Sequence, residues 1–210
     1  GDHRRRNREE RGEGHGCEMT KNIPDPPGRA LPGMGVEPTM PAQYARLVER
    51  MLDYCERATK GLTVEQLCDT RGGITNSIGF DVWHVVRTTD NIIHFVFERE
   101  MPVWVTGGFY EQWGLPKVDQ GTGMDPNDAY SMRFPEPEEF NRYTRAVKEA
   151  VVPRIAGMSM EYLSTIQRIR PWGDIPRMEA IGHGLIGHGN GHLGRASYAR
   201  NLFGLEGLPY

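Results

Sequence analysis

From Thr39 onward the apolar positions recur at steps of three and four. Tyr44, Leu47, Val48, Met51, Leu52 and Cys55 share one face of a 3.6-residue period, which predicts an amphipathic helix. Thr39 is its N-cap, Pro41 occupies the first turn, where a missing N–H costs nothing, and Gly61 ends it. Cys55 falls on the buried stripe and reads as a core thiol. Thr63 and Gln66 have the spacing of a capping box opening a short helical turn, and Arg71-Gly72-Gly73 reads as a turn. A second helix is expected from Asn76 or Ser77 to about Arg99, with Ile78, Val82, Val85, Val86, Ile92, Ile93 and Val96 on a broad apolar face. β-branched residues favour a strand locally, but the length of the run without a turn signal decides for helix.

The rhythm then stops. Residues 101–135 carry Pro102, Gly107-Gly108, Gly114, Pro116, Gly121, Gly123, Pro126 and Pro135, and no regular element is expected to last there. A loop of that length in a compact domain carries function or flexes. This one concentrates Trp104, Phe109, Tyr110 and Trp113. A third helix is expected from about Glu136, with Phe140, Tyr143, Val147, Ala150 and Val151 on one side and Pro153 kinking or ending it. A short helix near Ser159–Arg168 is broken by Pro171-Trp172-Gly173. Asp174 then caps a last helix that reaches Phe203, with Gly204 as its stop. There is no internal repeat and no alternation that demands a sheet. The sum is an all-α four-helix bundle over residues 40–210, with one long aromatic-rich loop between helices 2 and 3.

Residues 1–39 break this pattern. They hold seven Gly, five Pro and only seven residues of the apolar set, too little to repay ordering at roughly 1–2 kcal/mol per residue, and are expected to form a disordered tail. Its Arg4-Arg5-Arg6 cluster, with Arg8 and Arg11, is offset by Glu9, Glu10 and Glu13. The chain of 210 residues carries a net charge of −3 and a pI near 6.2, which argues against a nucleic-acid partner. Mean hydropathy is −0.58. No apolar run approaches the roughly 18 residues that span a bilayer, so no membrane partner is expected, and no signal-peptide core is present. Cys17, Cys55 and Cys68 are too few for a disulfide scaffold and lack metal-site spacing, which suits a reducing, cytoplasmic setting.

The histidines carry the chemistry. His183, His188 and His192 crowd into one glycine-rich stretch, Gly182 to Gly194. Positions four apart on a helix differ by roughly 40° and 6 Å, so His188 and His192 face one way, while His183 lies roughly 140° from His188. A catalytic metal site needs three protein ligands and an open position. Gly189, not Glu, follows the first histidine, so this is not the metalloprotease helix motif. His84 is the best third ligand. Its own face carries Ser77, Phe80, Asp81, Thr88, Asn91 and Phe95, a mixed stripe on a helix that reads as buried. The bland alternative is a satisfied core histidine. His94 lies about 80° off that stripe and is not expected to ligate. The helical glycines, each costing roughly 1 kcal/mol against Ala, signal a loop, close helix packing or room for a ligand. Arg195 falls within about 20° of His188 on the wheel, where it would clamp a carboxylate or phosphate or merely decorate the surface.

Two runs resemble a known family. Asn76-Ser77-Ile78-Gly79-Phe80-Asp81-Val82-Trp83-His84 is similar to the second-helix motif of the DinB/YfiT-like superfamily. His188-Gly189-Asn190-Gly191-His192-Leu193-Gly194-Arg195, with Phe203-Gly204 and Leu208-Pro209, is similar to its last-helix motif. The resemblance covers about residues 40–210. It implies a four-helix bundle, a homodimer in many members, and a divalent metal held by His84, His188 and His192, with zinc expected first and nickel or iron as alternatives. Relatives include S-transferases that use bacillithiol or mycothiol, a mycothiol-dependent maleylpyruvate isomerase and a domain supplying metal ligands in ergothioneine synthesis. The implied function is metal-dependent transfer of a low-molecular-weight thiol to an electrophile, or a related isomerisation or hydrolysis. The alternative is a non-catalytic metal- or ligand-binding stress-response protein. In the enzyme reading Arg195 and Asn91 contact substrate, and Trp104, Tyr110 and Trp113 cover the site unless they only seal the bundle end. The sequence departs from the family where Arg-Gly-Gln commonly follows the last histidine and Leu193-Gly194-Arg195 stands here.

Overall fold

The structure is a computed structural model that describes residues 39–209. The tail expected for residues 1–39, Thr39 apart, lies outside the described residues. Helix α1 (Met40–Thr59) starts where its cap predicts, with Thr39 Oγ1 accepting from the Ala42 N–H. Val48, Met51, Leu52 and Cys55 are buried along its inner face. A reciprocal capping box at Thr63 and Gln66 opens α2 (Val64–Leu67). Ser77 caps α3 (Ile78–Asp90), and every residue of that helix is buried. A helix enclosed on all sides needs no polar face, which is why its apolar residues spread so widely. Past Asp90 it loosens into a π-helical stretch, Asn91–Val96.

The segment expected to be loop instead folds into α4 (Val103–Thr106), α5 (Phe109–Trp113) and α6 (Pro126–Ser131). The cap that makes α4 possible comes from another helix. The buried Asp90 carboxylate accepts from the N–H groups of Val103 (2.9 Å) and Trp104 (2.8 Å), and also from the Tyr143 hydroxyl (2.9 Å). Gly108 and Gly114 adopt left-handed backbone at the two ends of α5 and so bound that helix rather than abolish it. Helix α7 (Pro137–Ala156) runs through Pro153, which was expected to kink or end it. Pro153 removes one hydrogen bond in the last turns, and the Glu149 residue left without it is exposed, so water takes its place.

Two further expectations fail between residues 159 and 177. The short helix is only α8 (Met160–Ser164), and it leads into a hairpin of β1 (Ile166–Ile169) and β2 (Gly173–Pro176). The strands are antiparallel, pairing Ile166 with Pro176 and Ile169 with Gly173. Asp174 therefore does not cap the last helix. It lies on β2 opposite Arg168, at 3.5 Å. The last rod begins after Pro176 as α9 (Arg177–Glu179), continues through a π-helical stretch, Ala180–Gly187, and becomes α10 (His188–Leu202). Gly204, at φ +72°, stops it.

Helices α1, α3, α7 and α10 make the bundle, with α1 against α7 and α10 against α3. Close packing explains part of the glycine run. A Cβ at Gly189 would overlap Met51 Sδ, and one at Gly184 would lie 2.8 Å from the Trp172 ring, whereas Gly191 and Gly194 face open space. Among the described residues no helix is long and apolar enough to cross a membrane. Replacing Asp90 by Ala leaves Arg87 buried beside a lost carboxylate (3.8 Å) and removes the α4 cap. Urea denaturation is expected to show a loss of about 3–5 kcal/mol, the usual consequence of removing one buried partner.

Candidate metal centre

Three segments bring the histidines together. His84 is buried on α3, and His188 and His192 stand one turn apart on α10, which Gly189 allows to sit close to Met51 of α1 and Val85 of α3. His188 Nε2 lies 3.3 Å from His84 Nε2 and 3.0 Å from His192 Nε2. The ligand atoms of all three fall within 4.8 Å of one another. Nitrogens about 2.0–2.1 Å from a tetrahedral ion stand roughly 3.3 Å apart, so the spacing fits a first-row divalent ion.

The opposite ring nitrogens fix where the protons sit. His84 Nδ1 lies 2.5 Å from the Gln120 carbonyl oxygen, which can only accept, and His192 Nδ1 lies 2.8 Å from Asp81 Oδ1. With hydrogen held on the outer nitrogens of His84 and His192, their Nε2 lone pairs turn towards His188 Nε2. Inward lone pairs of that kind are what a cation between the rings would require. Burial pushes the His84 imidazole down to about 4, against the Gln120 carbonyl and helped by the nearby His192 and His188. Burial also lowers His188, with the charges of His192 and Arg195 adding to it. Both rings are therefore neutral ligands at neutral pH.

Arg195 does not face the histidines' open side. Its guanidinium grips Asp81 in a fork, Nε to Oδ2 at 3.2 Å and Nη2 to Oδ1 at 2.8 Å, and Nη2 also lies 2.6 Å from His192 Nδ1. Burial alone would raise the Asp81 carboxyl, but the bonds and charges of His192 and Arg195 hold it below its ordinary value. Arg195 is thus a brace for Asp81, not a clamp on a ligand. Asp81, three residues before His84, lay on the predicted stripe, but its role was not legible there. Gln120 gave no signal at all. It reaches His84 because the buried Arg87 donates to the carbonyls of Val118 (3.5 Å) and Asp119 (3.3 Å) and so pins the loop. Gly121 turns that loop at φ +92°, where a Cβ would stand 3.1 Å from His84 Nδ1.

The Nε2 atoms open into a chamber of about 390 Å³ walled by Phe80, Thr88, Gln120, Tyr130 and Trp172. None of Asn91, Trp104, Tyr110 and Trp113 lines it. Trp104 is buried with its indole N–H on the Pro116 carbonyl, and it meets Tyr143 at 5.0 Å between ring centres. Trp113 packs on Phe140 at 5.2 Å, and Tyr110 donates to Glu111. These aromatics seal the bundle end. Asn91 misses the chamber because the π-helical stretch starting there breaks the 100° count from His84. His94 bonds Asp90 at 2.8 Å and lies outside the cluster of three histidines.

This combination of bundle and histidine cluster defines a class. The family model described as the DinB superfamily matches residues 47–196, and the chain belongs to that superfamily. The fold is also that of a solved structure, the conserved protein of a locus from Enterococcus faecalis. The two share 19% identity and a TM-score of 0.66, over 76% of this chain and 94% of that one. No curated protein matches the chain.

Two outcomes test the site. Asp81→Asn is expected to weaken zinc binding about 10- to 100-fold in a competition titration while one ion still binds, as loss of an outer partner does. In metal-free protein, the unfolded chain takes up the His84 proton near 6.5 and the folded chain only near 4. Stability is therefore expected to fall as pH drops from 6.5 towards 4, by up to about 1.4 kcal/mol per pH unit for this group, and then to level off. Urea titrations in chelator should show that slope in the parent protein and a shallower one in His84→Gln.

Proposed function

We propose that this protein is a metal-dependent enzyme that transfers a low-molecular-weight thiol to a small electrophile. The observation that carries the reading is the placing of three imidazole nitrogens together in the wall of an open chamber. His84, His188 and His192 would hold the ion, with zinc first and nickel or iron as alternatives that accept the same donors. Such an ion, when bound, supplies a Lewis-acidic centre that lowers the pKa of a thiol or water. The chain's own residues do the remaining work. Asp81 and the Gln120 carbonyl keep a proton on the outer nitrogen of His192 and His84 and so keep the inner nitrogen free. Phe80, Tyr130 and Trp172 give the chamber apolar walls that exclude water from a reacting pair. The thiol partner suits a reducing, cytoplasmic compartment, as do the free Cys55 and Cys68.

One observation favours the second reading, a non-catalytic metal or ligand binder. Among the described residues no Asp or Glu lines the chamber beside the histidines to relay a proton. The two readings part on turnover. Zinc-loaded protein is to be incubated with cysteine, glutathione and bacillithiol plus monochlorobimane, and the fluorescent conjugate followed. We expect one thiol to react faster than the uncatalysed rate, and His188→Ala to abolish the gain. Stoichiometric zinc without any gain leaves the binder. Absence of stoichiometric zinc removes both.

A further inference from the structure

We infer that the chamber selects small carboxylates with a ring-sized apolar body, and that Arg170 at the hairpin tip makes the selection. This names the ligand class of the site and rests on the reading above, in which the chamber receives a small molecule. Among the described residues lining the chamber, Arg170 is the one that is fully charged. A cation bordering such a space attracts an anion, and a guanidinium matches a carboxylate fork to fork.

Arg170 is also uncommitted. Among the described residues it has no hydrogen-bond or ion-pair partner. The other arginines of this region are spent on structure. Arg168 pairs with Asp174 at 3.5 Å. Arg177 donates to Gln167 at 2.9 Å and lies over the Tyr162 ring at 3.9 Å. The pairing of Ile169 with Gly173 leaves Arg170-Pro171-Trp172 as the turn. Trp172 anchors it, for its ring rests on the bare Gly184 and stands edge-on to His188 with 6.4 Å between ring centres. The tip that carries Arg170 is thereby fixed at the chamber.

The interior shows a matching demand. Thr88 Oγ1 and Gln120 Oε1 are buried without a hydrogen-bond partner, and both residues line the chamber. Thr89, next along α3, bonds the Val85 carbonyl at 2.9 Å in the ordinary way; Thr88 does not. An enclosed hydroxyl left unpaired is costly, and a small shift of either side chain towards the chamber would let a polar group on a ligand pair with it. Phe80, Tyr130 and Trp172 supply aromatic wall for a ring. The volume of about 390 Å³ sits at the low end of the roughly 300–1,000 Å³ of small-molecule sites.

The test measures binding, not turnover, with three probes of one shape: phenylacetate, phenylacetamide and 2-phenylethylamine. Each is titrated by calorimetry or ligand-observed NMR into zinc-free and zinc-loaded full-length protein. In both forms the acid is expected to bind about tenfold tighter than the amide, and the amine weakest, as a charge-assisted bond would give. Arg170→Gln should bring acid and amide within about twofold of each other, while Arg168→Gln on the outer face leaves the preference intact. Thr88→Val, nearly isosteric, should weaken acid and amide alike. Amide or amine binding as well as the acid, a preference that survives Arg170→Gln, or no binding of any probe would each overturn the inference. Zinc content is read separately. A chain that takes no zinc yet keeps its Arg170-dependent preference sinks the metal reading alone. One that takes zinc through its histidines without the preference sinks only this inference.

Discussion

Three imidazole rings meet at their inner nitrogens, His188 Nε2 lying 3.3 Å from His84 Nε2 and 3.0 Å from His192 Nε2. Rings do not gather at that distance unless something fixes them. Here the outer nitrogens are fixed by acceptors, the Gln120 carbonyl and the Asp81 carboxylate. Each acceptor is itself held, Gln120 by a loop tied to Arg87 and Asp81 by the Arg195 fork. A cation at the focus would be held by the three inner nitrogens. The site is therefore a property of its outer partners as much as of the three rings.

The same constraint shapes the fold. Helix α3 is buried along its whole length and yet carries Asp81, His84, Arg87 and Asp90. Such groups are tolerated inside a protein only when each finds partners. The partners come from different elements: α10 answers Asp81, the loop after α5 answers His84 and Arg87, and α4 and α7 answer Asp90. The candidate metal site and bundle assembly thus share one helix. Both helices that bear the histidines also run into a π-helical stretch, Asn91–Val96 after α3 and Ala180–Gly187 directly before His188, a distortion that recurs at functional sites.

Much of this was legible in the sequence. The caps at Thr39, Thr63 and Ser77 announce their helices because capping is local chemistry. The trio of His84, His188 and His192 was readable from one helical turn and one mixed stripe. What escaped depends on distant partners. No local signal marks α4, because its cap is Asp90, thirteen residues before Val103. The hairpin showed no clear alternation because β1 is largely exposed and has one buried residue, Ile169. Arg195 was placed by its angle on its own helix, which says nothing of Asp81 on α3. The aromatic loop residues looked like a lid because composition gives no direction; packing turned them inward, onto Tyr143 and Phe140.

The most direct measurement is X-ray absorption at the zinc edge on protein loaded with one equivalent of zinc. Three imidazole nitrogens at about 2.0–2.1 Å, with one further light atom, are expected for an ion held by His84, His188 and His192. A shell of six oxygens, a sulfur scatterer from Cys55 or Cys68, or fewer than three imidazoles would contradict the convergence of these side chains on a single ion.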